Sequence, residues 1–246
     1  MKAFIFAAGL GTRLKPLTDT MPKALVPVGG KPLLTHVLNK LQQEDFDQFV
    51  VNIHHFGEQI INYLDTHCNQ LNISISDERA CLLETGGAIK KAISLLGNES
   101  FLIHNVDILS NARLRDLMQL HLCSAAAATL LVSKRKSSRY LLFDANMRLK
   151  AWTNTLTGEI KSPFPYIDVN TLTPYAFSGI HCFAPILFPA MANYPDKFSI
   201  IDFYLDQCLL FPIYGYKQTD LQLLDVGKLD SLQQAETFCM DASTPA

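Results

Sequence analysis

Two glycines and three cations stand close together after the apolar run that begins the chain. The run predicts a buried first strand of a parallel sheet, and Gly9 and Gly11 follow it. Glycines at this position let the backbone bend sharply and approach a ligand without a Cβ in the way. Arg13, Lys15 and Lys23 add positive charge. Together with inward-turned backbone N–H groups, this segment is typical of a polyphosphate-binding loop, although a Gly-x-Gly alone is often only a tight turn.

Two familiar nucleotide motifs are excluded by the residues that follow. The dinucleotide fingerprint needs a third glycine three residues after the second, and that position is Leu14. The P-loop needs Gly-Lys-Ser or Gly-Lys-Thr, and no such triplet follows the opening glycines. The loop therefore predicts phosphate binding of another kind.

Two carboxylates are predicted at the ends of strands far apart in the chain. Asp107 lies near the end of the strand predicted over 101–109, and Asp225 follows a short predicted strand at 221–224. Each Asp alone is ordinary turn chemistry. Strands of one parallel sheet present their carboxyl ends at the same edge, so the two side chains could converge on one Mg²⁺.

A glycine pair at residues 86 and 87 predicts the start of a helix. Free N–H groups and the helix dipole there suit an anion or the edge of a base. The alternative is a helix capped by Thr85, with the glycines serving the turn. A further glycine, Gly179 after Ser178, lies inside a predicted strand, where it indicates either close approach of a ligand or a bulge.

Strand-like and helical segments alternate over the first half of the chain. This alternation predicts an α/β fold with a doubly wound, mostly parallel (mixed) central sheet of Rossmann-like type. The predicted strands are 3–6, 49–53, 72–76, 101–109 and 126–132, and the predicted helices are 32–44, 57–67, 86–96 and 112–123.

The second half predicts shorter elements and one excursion. We expect a single domain over residues 1–240, with an excursion at 133–174 that covers the site and a frayed tail at 241–246. The predicted strands are 140–143, 148–152, 175–183 and 221–224, and the predicted helices are 200–210 and 228–238.

Composition narrows the classes of partner. The 246 residues are 48% hydrophobic and 18% charged with a net charge of −2, so a basic field that would hold nucleic acid is not expected. Six cysteines without a C-x-x-C pair predict buried thiols in a reducing compartment. The first apolar run is too short for a signal segment, and no run reaches the length of a membrane span. We expect a cytoplasmic protein that binds no membrane.

The longest pattern in the chain carries a family resemblance. The string G-x-G-T-R-L-x-P-L-T, with P-K-A-L downstream, is followed in order by L-E-T-G-G, N-V-D, F-S-G-I and L-D-V-G. This series resembles the sugar-1-phosphate nucleotidyltransferases over nearly the whole chain. It looks closest to the N-acetylmuramate-1-phosphate uridylyltransferase and mannose-1-phosphate guanylyltransferase-like branch.

The resemblance implies a role for each matching residue. Arg13 and Lys23 would be catalytic, with Arg13 at the β- and γ-phosphates and Lys23 nearer the α-phosphate. Asp107 and Asp225 would hold Mg²⁺. The nucleotide would be bound by Ala8, Gly9, Gly11, Thr12, Arg13, Lys23 and Gly86, and the sugar phosphate by Glu84, Lys161, Ser178 and Gly179.

The resemblance also implies a reaction, with alternatives. A nucleoside triphosphate and a sugar 1-phosphate would give an NDP-sugar and pyrophosphate by in-line attack, in nucleotide-sugar biosynthesis for the cell envelope. UTP with an N-acetylmuramate- or hexosamine-type sugar is favoured. GTP with mannose 1-phosphate, another pair, or a non-catalytic sugar-nucleotide-binding regulatory subunit are the alternatives. We expect a monomer or a small homo-oligomer.

Overall fold

The computed structural model describes residues 1–241, with side chains up to residue 238. The predicted tail at 241–246 therefore lies outside the described residues, apart from residue 241. The strands are β1 (Lys2–Phe6), β2 (Pro27–Val28), β3 (Lys31–Pro32), β4 (Gln48–Ile53), β5 (Asn72–Asp77), β6 (Phe101–Asn105), β7 (Ile108–Ser110), β8 (Ala128–Ser133), β9 (Arg139–Phe143), β10 (Leu149–Asn154), β11 (Glu159–Lys161), β12 (Thr173–Phe183), β13 (Ile213–Tyr216) and β14 (Leu223–Asp225). The helices are α1 (Leu33–Gln43), α2 (Gly57–His67), α3 (Glu84–Leu96), α4 (Leu114–Cys123), α5 (Phe188–Met191), α6 (Ile200–Gln207) and α7 (Leu229–Asp241).

The chain packs as two compact units. The first contains Met1–Leu82, His104–Ala112 and the segment from Gln222. Its strands β1, β4 and β5 pair in parallel, β4 lying in the middle. Strand β14 pairs antiparallel with β7, which brings the late Asp225 turn beside residues 106–108.

The second unit contains Leu83–Ile103 and Arg113–Leu221. Strand β8 pairs with β12 antiparallel and with β13 in parallel. Strands β9, β10 and β11 form an antiparallel meander that joins β12 through β9. The predicted excursion at 133–174 therefore contains three strands of the sheet.

Apolar spacing explains the elements that were predicted well. Helix α1 buries Leu34, Val37, Leu38 and Leu41, four positions on one stripe at helical spacing. The strands β1 and β4 are buried along most of their length, as strands of a parallel sheet are. The prediction of an α/β fold around a mostly parallel, mixed central sheet is confirmed.

Three local predictions were wrong. The strand predicted over 101–109 is broken by a turn at Val106 and Asp107, so β6 and β7 are separate. Helix α3 begins at Glu84, before the glycine pair, and its start has no side-chain cap. Strand β13 was not predicted, because its few residues carry no clear alternation. The single-domain interpretation stays a prediction.

The prediction of buried cysteines is correct for three of the five whose side chains are described. Among the cysteines whose side chains are described, Cys68, Cys182 and Cys208 are buried, whereas Cys81 and Cys123 are exposed. Cys239 lies outside the described side chains. None of the helices within the described residues is both long enough and apolar enough to cross a bilayer.

Candidate functional site

The loop after β1 is held by a buried side chain of β4. The backbone N–H groups of Ala7 and Ala8 donate to Asn52 Oδ1 at 2.7 and 3.2 Å. Asn52 in turn donates through Nδ2 to Glu78 Oε1 at 2.7 Å. Asn52 is 3% exposed and Glu78 is fully buried. Two polar side chains inside the first unit therefore fix the point where the predicted phosphate loop leaves the sheet.

Different physical reasons explain why glycine stands at positions 9 and 11 of the loop. Gly11 has a φ of 64°, and a Cβ there would lie 2.8 Å from Thr18 Cγ2 and 3.1 Å from Lys23 Cβ. Its conformation and its surroundings both require glycine. Gly9 is exposed, and a Cβ there would meet nothing within 4 Å. The chain's own packing does not require glycine at this position, as expected where a ligand approaches the backbone. Thr12 follows on the exposed side of the loop.

Lys23 pairs with Asp107 inside the first unit. Lys23 Nζ contacts Asp107 Oδ2, and both side chains are largely buried, at 10% and 18% exposure. Burial also lowers the pKa of the adjacent His104 to about 4, so this histidine is neutral near pH 7. The one cation in contact with Asp107 in the described residues is therefore Lys23.

Asp225 reaches the same place from the other end of the chain. Strand β14 sets Asp225 opposite Ile108, and the backbone N–H of Val226 donates to the Asp107 carbonyl at 2.8 Å. The two predicted carboxylates thus stand at neighbouring positions beside the pair of strands β7 and β14, Asp225 at the end of β14 and Asp107 in the turn just before β7. This donor set fits Mg²⁺, which typically takes one or two carboxylates and completes its shell with water and phosphate oxygens. Within residues 1–238 no cluster of three or more His, Cys, Asp or Glu could hold a metal by itself.

Arg13 lies beside this pair at Gly227. A Cβ built on Gly227 would lie 2.7 Å from Arg13 Nη2 and 2.6 Å from Asp225 Oδ1. The missing side chain of Gly227 is what lets the guanidinium and the carboxylate occupy this space together. Arg13, Lys23, Asp107 and Asp225 are therefore all in the first unit and are linked through named contacts.

The second unit places the glycine pair of α3 differently from the prediction. The N–H groups of Gly86 and Gly87 both donate to the Phe198 carbonyl, at 2.9 and 3.3 Å, so they are not free for an anion. A Cβ on Gly86 would lie 2.3 Å from the Phe198 ring. Packing against Phe198 accounts for Gly86, and its part in nucleotide binding stays a prediction.

The two residues before the glycine pair also contact distant parts of the chain. Thr85 Oγ1 accepts from the Ile200 N–H at 3.0 Å and does not cap its own helix. Glu84 has a φ of 60° and pairs with Lys197 at 3.8 Å. A positive φ at a residue other than glycine is uncommon and often occurs at functional positions. Its role toward the sugar phosphate stays a prediction.

Lys161 lines an open cavity of about 520 Å³ in the second unit. Its Nζ lies 3.2 Å from Asp202 Oδ1, 3.9 Å from Glu159 Oε1 and 5.3 Å from the centroid of the Trp152 ring. Aromatic, acidic and basic groups in one concave site are typical of a pocket for a polar ligand with an apolar face. The other residues that line it are Arg135, Ser137, Arg139, Tyr140, Leu141, Asn154, Phe177, Ser199 and Ile201.

Ser178 and Gly179 lie at a bulge next to this cavity. The register between β12 and β8 shifts between Phe177 and His181, and Gly179 has a φ of 74°. Ser178 is fully buried, and its Oγ has no hydrogen-bond partner in the described residues. Phe177 lines the cavity, whereas Ser178 and Gly179 do not.

Several residues of these sites carry no motif that a sequence would reveal. Asn52 and Glu78 act through long-range hydrogen bonds. Arg135 and Arg139 belong to a charged segment, which a sequence does not distinguish from solvated surface. The D-V-G string did contain Gly227, but its contact with Arg13 depends on the fold.

Comparisons with known proteins show the family and the fold of the chain. The family model described as nucleotidyl transferase matches residues 2–148. The chain is similar to N-acetylmuramate α-1-phosphate uridylyltransferases of Caulobacter vibrioides (44% identical over 108 residues, 43% of this chain and 45% of that one) and Neisseria meningitidis (46% over 112 residues, 45% and 48%). It thus spans about half the length of these curated relatives. A solved UDP-glucose pyrophosphorylase from Acinetobacter baumanii shares the fold, with a TM-score of 0.77 at 18% identity over 96% of this chain and 92% of that one.

Proposed function

The chain belongs to the nucleotidyl transferase family, and we propose that it transfers a nucleoside monophosphate from a nucleoside triphosphate to a sugar 1-phosphate. The observation that carries this proposal is the set formed in the first unit by Arg13, Lys23, Asp107 and Asp225 beside the glycine loop. Cations and a pair of carboxylates next to an open glycine backbone are what an Mg²⁺-bound triphosphate needs.

The reaction needs charge neutralisation more than it needs a protein nucleophile. A phosphate oxygen of the sugar 1-phosphate attacks the α-phosphorus, and the bond to the β-phosphate oxygen breaks with release of pyrophosphate. Both reactants are anionic, so positioning and electrostatic stabilisation are the protein's main contributions. Bound Mg²⁺, held by Asp107 and Asp225, would supply further positive charge at the phosphate oxygens.

Arg13 and Lys23 have separate tasks in this proposal. The Arg13 guanidinium is planar and has several N–H donors, which suits the β- and γ-phosphates and the leaving pyrophosphate. Lys23 is a compact charge beside Asp107, from where it would neutralise charge at the α-phosphate. The Gly9 backbone has the open space that close approach of the phosphates requires.

UTP and N-acetylmuramate 1-phosphate are the proposed substrates. The two uridylyltransferases described above support this pair, because they are more than 40% identical to this chain where they align. The cavity around Lys161 in the second unit supports a polar, anionic sugar. A cytoplasmic location follows from this proposal, since both substrates are soluble phosphates.

A pyrophosphate-release assay tests the proposal. UTP, GTP, CTP and dTTP are each combined with the 1-phosphates of N-acetylmuramate, N-acetylglucosamine, glucose and mannose, with Mg²⁺ or with EDTA. We expect the highest kcat/KM for UTP with N-acetylmuramate 1-phosphate, an NDP-sugar detected by mass spectrometry, and loss of turnover with EDTA. Binding of the substrates without pyrophosphate release from any pair would instead support a regulatory subunit.

A further inference from the structure

The cavity around Lys161, here called the meander pocket, contains two arginines besides the lysine that the resemblance assigns to the sugar phosphate. Its lining has three cations, Arg135, Arg139 and Lys161, and two acids, Glu159 and Asp202. Both acids lie within 4 Å of Lys161. Among the described residues, no carboxylate pairs with either arginine. The two guanidinium groups are therefore the uncompensated charge of the pocket.

Hydrogen bonds fix the Arg135 side chain and the turn that leads to Arg139. Arg135 Nη2 donates to the Phe177 carbonyl at 2.9 Å, at the edge of the bulge in β12. The Arg139 N–H donates to Ser137 Oγ at 3.1 Å, and the Ser137 N–H donates to Tyr140 Oη at 2.9 Å. These bonds order the turn that leads into β9. A guanidinium has five N–H donors, so one bond to a carbonyl leaves Arg135 most of its donors for a ligand.

From this arrangement we propose that the meander pocket binds a sugar 1-phosphate that carries a second acidic group, and that Arg135 and Arg139 bind its carboxylate. Arginine matches a carboxylate through two parallel hydrogen bonds, which a neutral hydroxyl does not offer. The rings of Trp152, Tyr140 and Phe177 provide an apolar wall for the sugar's C–H face. This inference rests on the proposed nucleotidyl transfer and adds the two residues that would select an acidic sugar.

Two kinds of sugar meet this description. The carboxylate stands on an ether substituent in N-acetylmuramate and on the ring itself in a uronic acid. N-acetylmuramate 1-phosphate differs from N-acetylglucosamine 1-phosphate only by its lactyl ether, and glucuronate 1-phosphate differs from glucose 1-phosphate only by oxidation at C6. Each acid thus has a neutral partner with the same phosphate.

Calorimetric binding of these four sugar phosphates, without nucleotide, tests the inference. We expect the wild-type protein to bind at least one acidic sugar about tenfold or more tightly than its neutral partner. Arg139→Gln should remove this preference and leave binding of the neutral sugar within about twofold. Arg139→Lys should retain part of it, because the charge remains without the fork. Lys136→Gln is the matched control, since it removes a charge from the same loop outside the pocket lining.

The outcomes separate the inference from the proposed function. Equal binding of acidic and neutral sugars by the wild type would overturn the inference, and so would an equal loss for both sugars in Arg139→Gln, which would make the arginine a phosphate ligand. Thermal unfolding of each variant reports whether its fold is kept. A preference for an acidic sugar without pyrophosphate release from any nucleotide would support the inference and contradict the proposed function.

Discussion

Arg13 and Lys23 are each positioned by a neighbour from a distant part of the chain. Gly227 leaves the space in which the Arg13 guanidinium lies beside Asp225, and Asp107 contacts Lys23. The sequence predicted all four charged residues as a phosphate and metal set. It could not predict that Lys23 would be nearly buried on Asp107, because that contact depends on tertiary packing. Their roles toward substrate stay predictions.

Replacing Arg13 by alanine should lower kcat/KM strongly. Loss of a preorganised donor to the leaving pyrophosphate costs roughly 2–4 kcal/mol in transition-state stabilisation. Steady-state pyrophosphate release by Arg13→Ala, compared with Lys31→Ala, measures this. Lys31 is an exposed cation of the same unit that takes no part in the site, so its variant should resemble the wild type. A wild-type kcat/KM for Arg13→Ala would refute the assignment.

Turns, more than strands or helices, set the geometry of the first unit's site. Helix α2 was predicted with its observed bounds, since helical patterns are a local property of the sequence. The turn at Val106 and Asp107 was missed, because apolar residues lie on both sides of it, at 101–103 and 108–109, as they would in one strand. The start of α3 was also misjudged, since Thr85 and the glycine pair find their partners more than a hundred residues away.

The turn after β14 yields a prediction for Gly227→Ala. The three atoms nearest to the new Cβ would belong to the ends of the Arg13 and Asp225 side chains, which can move without disturbing the backbone. We therefore expect the melting temperature to stay within about 2–4 °C, while kcat/KM falls about tenfold or more as the two groups separate. Lys228→Ala alters the next, exposed residue and should leave both values unchanged. Unchanged turnover in Gly227→Ala would show that the pair tolerates displacement.

The bond between β4 and the phosphate loop predicts an effect of Asn52→Ala. This variant leaves the buried N–H groups of Ala7 and Ala8 without their acceptor, at a cost of roughly 1–3 kcal/mol per unpaired group. Both the free energy of unfolding and the affinity for nucleotide should fall. Urea denaturation and nucleotide titration measure the two effects, and Asn72→Ala, at an exposed position of β5, is the control. An unaltered nucleotide affinity would mean that the loop keeps its shape without this acceptor.

Across the whole molecule, three of the seven histidines are buried in an uncharged form. His104, His121 and His181 are each at most 2% exposed. Burial lowers their pKa values to about 4, about 4 and about 3. These side chains add packing to each unit and little charge near neutral pH. Protonation of these histidines at acidic pH therefore destabilises both units.

The free energy of unfolding should fall as the pH drops from about 6.5 toward 4. In this range the unfolded chain binds protons at these histidines and the folded chain does not, so acid favours unfolding by up to about 1.4 kcal/mol per pH unit for each group. Urea denaturation between pH 7.5 and 4.5 measures the slope. His181→Phe should flatten it, because this ring lies among Phe177 and Tyr204 without a hydrogen-bond partner in the described residues. A slope equal to that of the wild type would contradict this account.

The wall of the meander pocket contains the chain's single tryptophan. Trp152 is half-buried, with the Lys161 ammonium above its ring. Indole emission depends on nearby charge and on contact with water, and both change when a ligand fills the pocket. The unlabelled protein therefore contains its own optical reporter: a change in tryptophan emission on adding a sugar phosphate comes from this one ring and marks occupation of the pocket in the second unit.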